Sequence, residues 1–156
     1  MKKSILFVFF ILSLSITSLA QTKPTKQETI DWITAQLRNN KGVTEAASKA
    51  EWKYIVIDNN IKSSMETARG LILTIVFSFD DICSVTKYKD YKGSESLEIK
   101  FKNELNVDDV SDNSVSKSED WSIVLDWSKT DNLYERLFKA FSTLATYNCP
   151  PAKNTF

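Results

Sequence analysis

The chain has 156 residues, with 20 basic and 20 acidic side chains, no histidine and only 3 glycines. The missing histidine excludes Ser-His-Asp and Cys-His catalysis, and it excludes the usual histidine-bearing zinc sites. The glycines lie too far apart for a phosphate loop or a dinucleotide-binding fingerprint. Because the chain has neither these motifs nor a histidine, we expect no cofactor and no metal. The balanced charge indicates neither a nucleic acid nor an anionic lipid as partner.

Residues 1–20 have the layout of a secretory signal peptide. Two lysines precede the apolar run ILFVFFIL, and small residues end the segment at Ala20, before a cleavage point at Gln21. No later apolar run reaches the roughly 18 residues that a membrane span needs. We therefore expect a single globular domain over residues 21–156, periplasmic or secreted, without a membrane span.

The first elements predicted after this segment are a helix and a hairpin. Thr25 and Glu28 have the spacing of a capping box, which predicts a helix over 26–38. Its apolar stripe consists of Ile30, Ile33 and Leu37. An aromatic and β-branched strand follows at 51–58, and after a turn a weaker strand over 61–68 is expected to pair back with it.

Three strand patterns and a polar stretch come next. Residues 71–79 are apolar on both faces, which predicts a central strand covered on both sides. Residues 82–91 are interpreted as its hairpin partner. The segment 96–102 alternates, with Leu97, Ile99 and Phe101 pointing inward. Residues 103–118 are polar and are interpreted as a long loop or a mobile hairpin tip.

A last strand and a last helix close the chain. A strand over 120–127 is predicted to share one face among Trp121, Ile123, Leu125 and Trp127. A helix over 132–147, capped by Asp131 or Thr130, has the apolar stripe Tyr134, Leu137, Phe141 and Leu144. Strands joined by short turns predict an antiparallel meander. The expected fold class is α+β: an antiparallel curved sheet or partly open barrel of five to seven strands, with an N-terminal and a C-terminal helix.

This order of elements resembles the pleckstrin-homology-like roll. The segment ERLFKAFSTLATYNC is similar to the closing helices of small uncharacterised exported bacterial proteins. The resemblance implies a fold and no activity.

Two cysteines, Cys83 and Cys149, lie in a chain that we expect to be exported. An oxidising compartment favours their pairing, which would tie the last helix to the sheet. The alternative is two independent thiols, one of them simply buried.

Two surfaces are candidates for binding. Tyr88, Tyr91, Trp121 and Trp127 would form an aromatic face for a sugar or a peptide, although large aromatics on a strand's apolar face are more often core residues. The last helix carries Leu133 and Phe138 outside its main stripe. This second apolar face would contact a protein partner or a second copy of the chain.

Catalytic and calcium sites find little support in the sequence. Asp109, Ser111 and Asn113 resemble the first ligands of an EF-hand loop, but the glycine and the final glutamate are missing, which favours a solvated turn. Asp80 with Asp81, and Glu98 with Glu104, do not form an opposed carboxylate pair. The leading hypothesis is an exported, non-enzymatic binding or interaction domain. The alternatives are a small carboxylate-based hydrolase acting on glycans, or a carrier of lipid or another apolar ligand.

Overall fold

One helix precedes and one follows the strands of a curled antiparallel sheet in the computed structural model, which describes residues 23–39, 43–44, 51–66, 72–90, 94–129 and 131–150. The helices are α1 (Lys26–Asn39) and α2 (Leu133–Asn148). The strands are β1 (Val43–Thr44), β2 (Glu51–Ile57), β3 (Asn60–Glu66), β4 (Ile72–Ser78), β5 (Ile82–Lys89), β6 (Glu95–Asp109) and β7 (Ser114–Ile123). The predicted α+β class and the partly open sheet are confirmed. The predicted signal peptide lies outside the described residues.

Helix α1 begins with the predicted capping box. The Thr25 backbone N–H donates to the Glu28 carboxylate at 2.7 Å, and the Glu28 N–H donates to the Thr25 hydroxyl at 3.2 Å. These bonds satisfy donors that the first helical turn would otherwise leave open. The predicted stripe of Ile30, Ile33 and Leu37 is buried in the core.

Strands β2 and β3 form the predicted hairpin. Ile57 pairs with Asn60, so that only Asp58 and Asn59 make the turn. Asp58 takes the left-handed conformation that this tight turn requires, with φ of 51°. Asparagine and aspartate tolerate that region better than most residues.

Strand β5 is not the hairpin partner of β4, contrary to the sequence prediction. Strand β4 pairs with the second half of β6, where Ile75 faces Val107, and β5 pairs with the first half, where Ile82 faces Phe101. Strands β4 and β5 therefore lie end to end along β6. The reason is the short 3-10 helix Phe79–Asp81, which bends the chain without reversing it.

Strand β4 is central, but only one of its faces is fully covered. Ile75 and Phe77 are each 1% exposed, whereas Val76 on the other face is 53% exposed. The prediction of a strand covered on both sides is therefore wrong. Both helices contribute to the core on the Ile75 side of the sheet. On the opposite side of β4, Thr74 is buried and Val76 is exposed, so that face is only partly covered.

Of the two interpretations of the polar segment 103–118, the hairpin is present and the long loop is not, although strands occupy most of the segment. Strand β6 continues to Asp109, four residues make the turn, and β7 pairs back from Ser114. The second half of β6 still points apolar side chains inward, with Val107 buried and Leu105 partly buried. Only the tip of the predicted loop, where Asn113 has φ of 56°, is a turn.

The final strand ends earlier than predicted. Strand β7 stops at Ile123, and the hydroxyl of the buried Tyr54 forms hydrogen bonds with the backbone of Val124. It accepts from the Val124 N–H at 2.7 Å and lies 3.0 Å from the Val124 carbonyl oxygen, to which it donates. This exchange satisfies buried backbone groups at the point where sheet pairing ends.

Helix α2 packs against β5 and α1, and its predicted stripe is confirmed. Leu137, Phe141 and Leu144 are fully buried, and Tyr134 packs against the same core. The predicted cap by Asp131 is wrong, because Asn132 occupies the N-cap in the left-handed region without a side-chain cap bond. The alternative cap, Thr130, lies outside the described residues.

The end of α2 is attached to the bend between β4 and β5. Cys83 and Cys149 form a disulfide with their Cα atoms 5.2 Å apart. Beside it, the Asn148 side-chain N–H₂ donates to the carbonyls of Phe79 at 2.9 Å and Ile82 at 2.8 Å. The predicted bridge between helix and sheet is therefore present.

Within the described ranges no helix has the length and apolar character that crossing a membrane requires.

Candidate functional site

A groove of about 800 Å³ runs between the two helices on their outer side. The first turns of α1 and the segment before it form one wall, and α2 forms the other. The lining residues are Lys23, Pro24, Glu28, Thr29, Trp32, Arg136, Lys139, Ala140 and Thr143. Six of these nine residues are polar or charged, while apolar atoms make up most of the surface that they expose to the groove.

Trp32 and Arg136 meet across this groove. The indole is half-buried, and the Arg136 guanidinium carbon lies 5.0 Å from the ring centroid. A cation–π contact of this kind attracts the guanidinium to the ring while its N–H groups stay free to donate. Within the described ranges, no carboxylate forms a salt bridge with Arg136 or with the exposed Lys139.

Lys23 adds a third cation at the far end of α2. Its ammonium donates to the Thr146 hydroxyl at 3.4 Å and lies 4.8 Å from the centroid of the Tyr147 ring. The Tyr147 hydroxyl in turn donates to the Pro24 carbonyl at 2.7 Å. These contacts hold the segment that precedes α1 along α2, so that Lys23 lines the groove.

Among the described residues that line the groove, Glu28 is the one acidic side chain, and its carboxylate already caps α1. Hydrogen bonds from the Thr25 backbone N–H and then from the Thr25 hydroxyl lower its pKa, against a weaker opposing effect of desolvation. The carboxylate is therefore ionised, and it is already hydrogen-bonded to Thr25. Three cations against one anion leave the groove positively charged, in a chain whose total charge is balanced.

A second groove of about 800 Å³, on another side of α1, contains charges of both signs, and several of its polar side chains contact one another. Lys26 forms an ion pair with Asp80, and the Gln27 side chain donates to Asp31 at 2.8 Å. The hydrogen bond from Lys26 is the main cause of the lowered pKa of Asp80. Polar groups that satisfy one another offer less to a ligand than the open cations between the helices.

The two tryptophans of the predicted aromatic face belong to different clusters. Trp121 packs edge-on against Trp52, with ring centroids 5.9 Å apart, and its N–H donates to the Ser63 hydroxyl at 2.8 Å. Trp127 packs against Tyr134 at 4.8 Å, and its N–H donates to the Glu95 carbonyl at 2.8 Å. Both rings are half-buried and pack against the core.

Of the two tyrosines predicted for the aromatic face, only Tyr88 lies among the described residues. The Tyr88 side chain is 54% exposed, while Tyr91 lies outside the described residues. The Tyr134 hydroxyl lies 3.3 Å from the Tyr88 carbonyl oxygen and 3.0 Å from that of Ser96. Burial, assisted by the negative charge of Glu95, raises the pKa of Tyr134. A binding role for these aromatic residues stays a prediction.

The two apolar residues of α2 outside its main stripe pack within the domain. Leu133 is fully buried, and Phe138 packs against the core with the Lys87 ammonium 4.7 Å from its ring centroid. The same lysine forms an ion pair with Glu135. A partner bound through α2 stays a prediction.

The carboxylates considered for catalysis or calcium have structural partners. Asp81 accepts from the Ser78 N–H at 3.1 Å, and Asp80 accepts from the Asn59 side chain at 2.8 Å. Asp109 accepts from the Ser111 hydroxyl at 2.7 Å, which is the main cause of its lowered pKa. The part of the chain that the structure describes contains no group of three metal-ligating side chains. The hydrolase alternative stays a prediction.

Comparison with protein-family models, curated proteins and solved structures finds no match for this chain. The resemblance to a pleckstrin-homology-like roll therefore stays a prediction.

The groove could not be predicted from the sequence, because its walls come from opposite ends of the chain. The available signals were Trp32, outside the apolar stripe of α1, and two cations three residues apart on α2.

Proposed function

We propose that this chain is an exported, non-enzymatic binding domain whose ligand occupies the groove between α1 and α2. The observation that carries the proposal is the contact of the half-buried Trp32 with Arg136, beside Lys139, in a groove of about 800 Å³. Neither cation forms a salt bridge with the described residues. Ligand sites commonly have volumes of about 300–1,000 Å³ and a few convergent polar groups.

The arrangement favours a ligand with both a flat apolar part and a negative charge. The indole contributes most to the free energy of binding when a ligand covers its apolar surface and removes water from it. Each unpaired cation attracts an anion, by about 1 kcal/mol at 4 Å in bulk water and by more where water is displaced. We therefore expect binding to weaken as the salt concentration rises.

Export is supported by the pattern of residues 1–20 and by the disulfide between Cys83 and Cys149, since such bonds persist in oxidising compartments. We expect the protein isolated from outside the cytoplasm to begin at Gln21 and to lack free thiols. Intact-mass measurement with and without reductant and alkylation checks both points. An intact N-terminus at Met1 on the isolated protein would contradict export by cleavage.

Replacing Trp32 by alanine is expected to weaken ligand binding at least about tenfold, which corresponds to about 1.4 kcal/mol. The probe is anilinonaphthalene sulfonate, which combines aromatic rings with one negative charge, and its fluorescence reports a saturable site. Trp32→Phe should restore most of the affinity because a flat ring remains.

The control is Tyr88→Ala, which removes an exposed aromatic residue that does not line the groove. Its affinity for the probe should equal that of the unaltered chain. Equal affinity of Trp32→Ala and the unaltered chain, with both folded by circular dichroism, would contradict the proposed site.

A further inference from the structure

We propose that the ligand of this groove is an acidic oligosaccharide that carries carboxylate or sulfate groups on successive sugar rings. The inference rests on the proposed function, since it names the chemical class of the ligand at the same site. It is drawn from the linear arrangement of the cations, from the aromatic side chain of Trp32 and from the hydroxyl group of Thr143.

The three cations form a row along α2. Arg136 and Lys139 are three residues apart, so their Cβ atoms are neighbours on the helix surface, at about 5–6 Å. Lys23 reaches Thr146 further along the same helix. From Arg136 to Thr146 the helix rises about 15 Å. A small anion contacts one or two of these positions, whereas an extended polyanion contacts all of them.

Trp32 and Thr143 indicate sugar rings instead of a peptide or a nucleic acid. The part of the half-buried indole that lines the groove beside Arg136 offers an apolar surface against which the C–H face of a pyranose ring packs, and the half-buried Thr143 offers a hydroxyl to sugar hydroxyl groups. Nucleic acids are bound by extensive basic surfaces, which a chain with 20 basic and 20 acidic residues does not predict.

Arg136 is suited to select a carboxylate or a sulfate. Its cation–π contact with Trp32 restrains the side chain at the groove, and the planar fork of the guanidinium matches two oxygens of one anionic group. The neighbouring Lys139 acts as a point charge for the next group along the chain. Glu28, held in the helix cap by Thr25, leaves these two cations free.

The test is calorimetric titration of the intact mature chain with trigalacturonate, and with a heparin-derived tetrasaccharide as the sulfated arm. Fully methyl-esterified trigalacturonate, which keeps the sugar rings and removes their charges, is the matched ligand control. We expect the acid to bind at least about tenfold more tightly than the ester, because charge-assisted hydrogen bonds contribute about 1.5–3 kcal/mol each.

The matched protein variants remove two positive charges each. Arg136→Gln with Lys139→Gln should weaken binding at least about tenfold. Lys62→Gln with Lys100→Gln, which changes the total charge equally at two exposed strand positions outside the groove, should leave the affinity unchanged. Equal losses in both variants would show a general charge effect and overturn the inference.

Three other outcomes separate the inference from the proposed function. Binding of anilinonaphthalene sulfonate without binding of either acidic sugar overturns the ligand class and leaves the groove as a binding site. Equally tight binding of triglutamate shows that charge suffices and overturns the sugar assignment. Failure of both the fluorescent probe and the sugars overturns the inference together with the proposed function.

Discussion

Replacing Cys83 and Cys149 together by alanine is expected to lower the free energy of unfolding by about 4 kcal/mol. The two residues are separated by 66 positions, and the chain-entropy model assigns about this much to a loop of that length. The effect arises mainly in the unfolded chain, which gains conformational freedom once the crosslink is removed. For a domain of this size the change is a large fraction of the usual total stability.

Urea unfolding of the double variant and of the unaltered chain measures this difference directly. Reduction of the unaltered chain is the internal control, because it removes the crosslink and keeps both sulfur atoms. We expect the reduced chain and the double variant to agree. A loss below about 1 kcal/mol would show that the crosslink contributes little, and that the Asn148 bonds to Phe79 and Ile82 hold the bend without it.

Phe141→Ala is expected to lower the free energy of unfolding by about 3–5 kcal/mol. The Phe141 ring is fully buried on the face of α2 that packs against the sheet. Truncation removes its apolar contacts and leaves a cavity that a close-packed core fills only in part.

Phe138→Ala is the matched control, since it makes the same truncation one turn earlier on the same helix. Its ring is only half-buried, so the loss should be clearly smaller. Urea unfolding of both variants, with the disulfide intact, provides the comparison. A loss for Phe138→Ala equal to or greater than that for Phe141→Ala would contradict the orientation of α2.

The helices were predictable because their signals are local. Thr25 and Glu28 cap α1 within one turn, and the stripe of Leu137, Phe141 and Leu144 requires only the helical period. The strand pairing was less predictable, because it depends on residues far apart in the chain. The 3-10 turn at Phe79–Asp81 has the composition of a hairpin turn, yet it continues β4 into β5 along the same edge of β6.

The candidate site shows the same limit. The alternation that placed Trp121 and Trp127 on one face is valid only while the strand lasts, and β7 ends at Ile123. Trp127 lies beyond that point in a 3-10 turn against Tyr134. The groove requires the packing of α1 on α2, so Trp32 and Arg136 become neighbours through tertiary structure that no local pattern reports.

The location of the binding site can be tested with the four tryptophans themselves. Their indole N–H groups have distinct surroundings: Trp32 lines the groove, Trp121 and Trp127 donate to different acceptors, and Trp52 is buried. A proton–nitrogen NMR titration of the labelled mature chain with trigalacturonate follows all four signals at once. We expect a saturable shift of the Trp32 signal with the other three unchanged. Movement of the Trp121 or Trp127 signal while that of Trp32 stays in place would contradict the groove as the binding site.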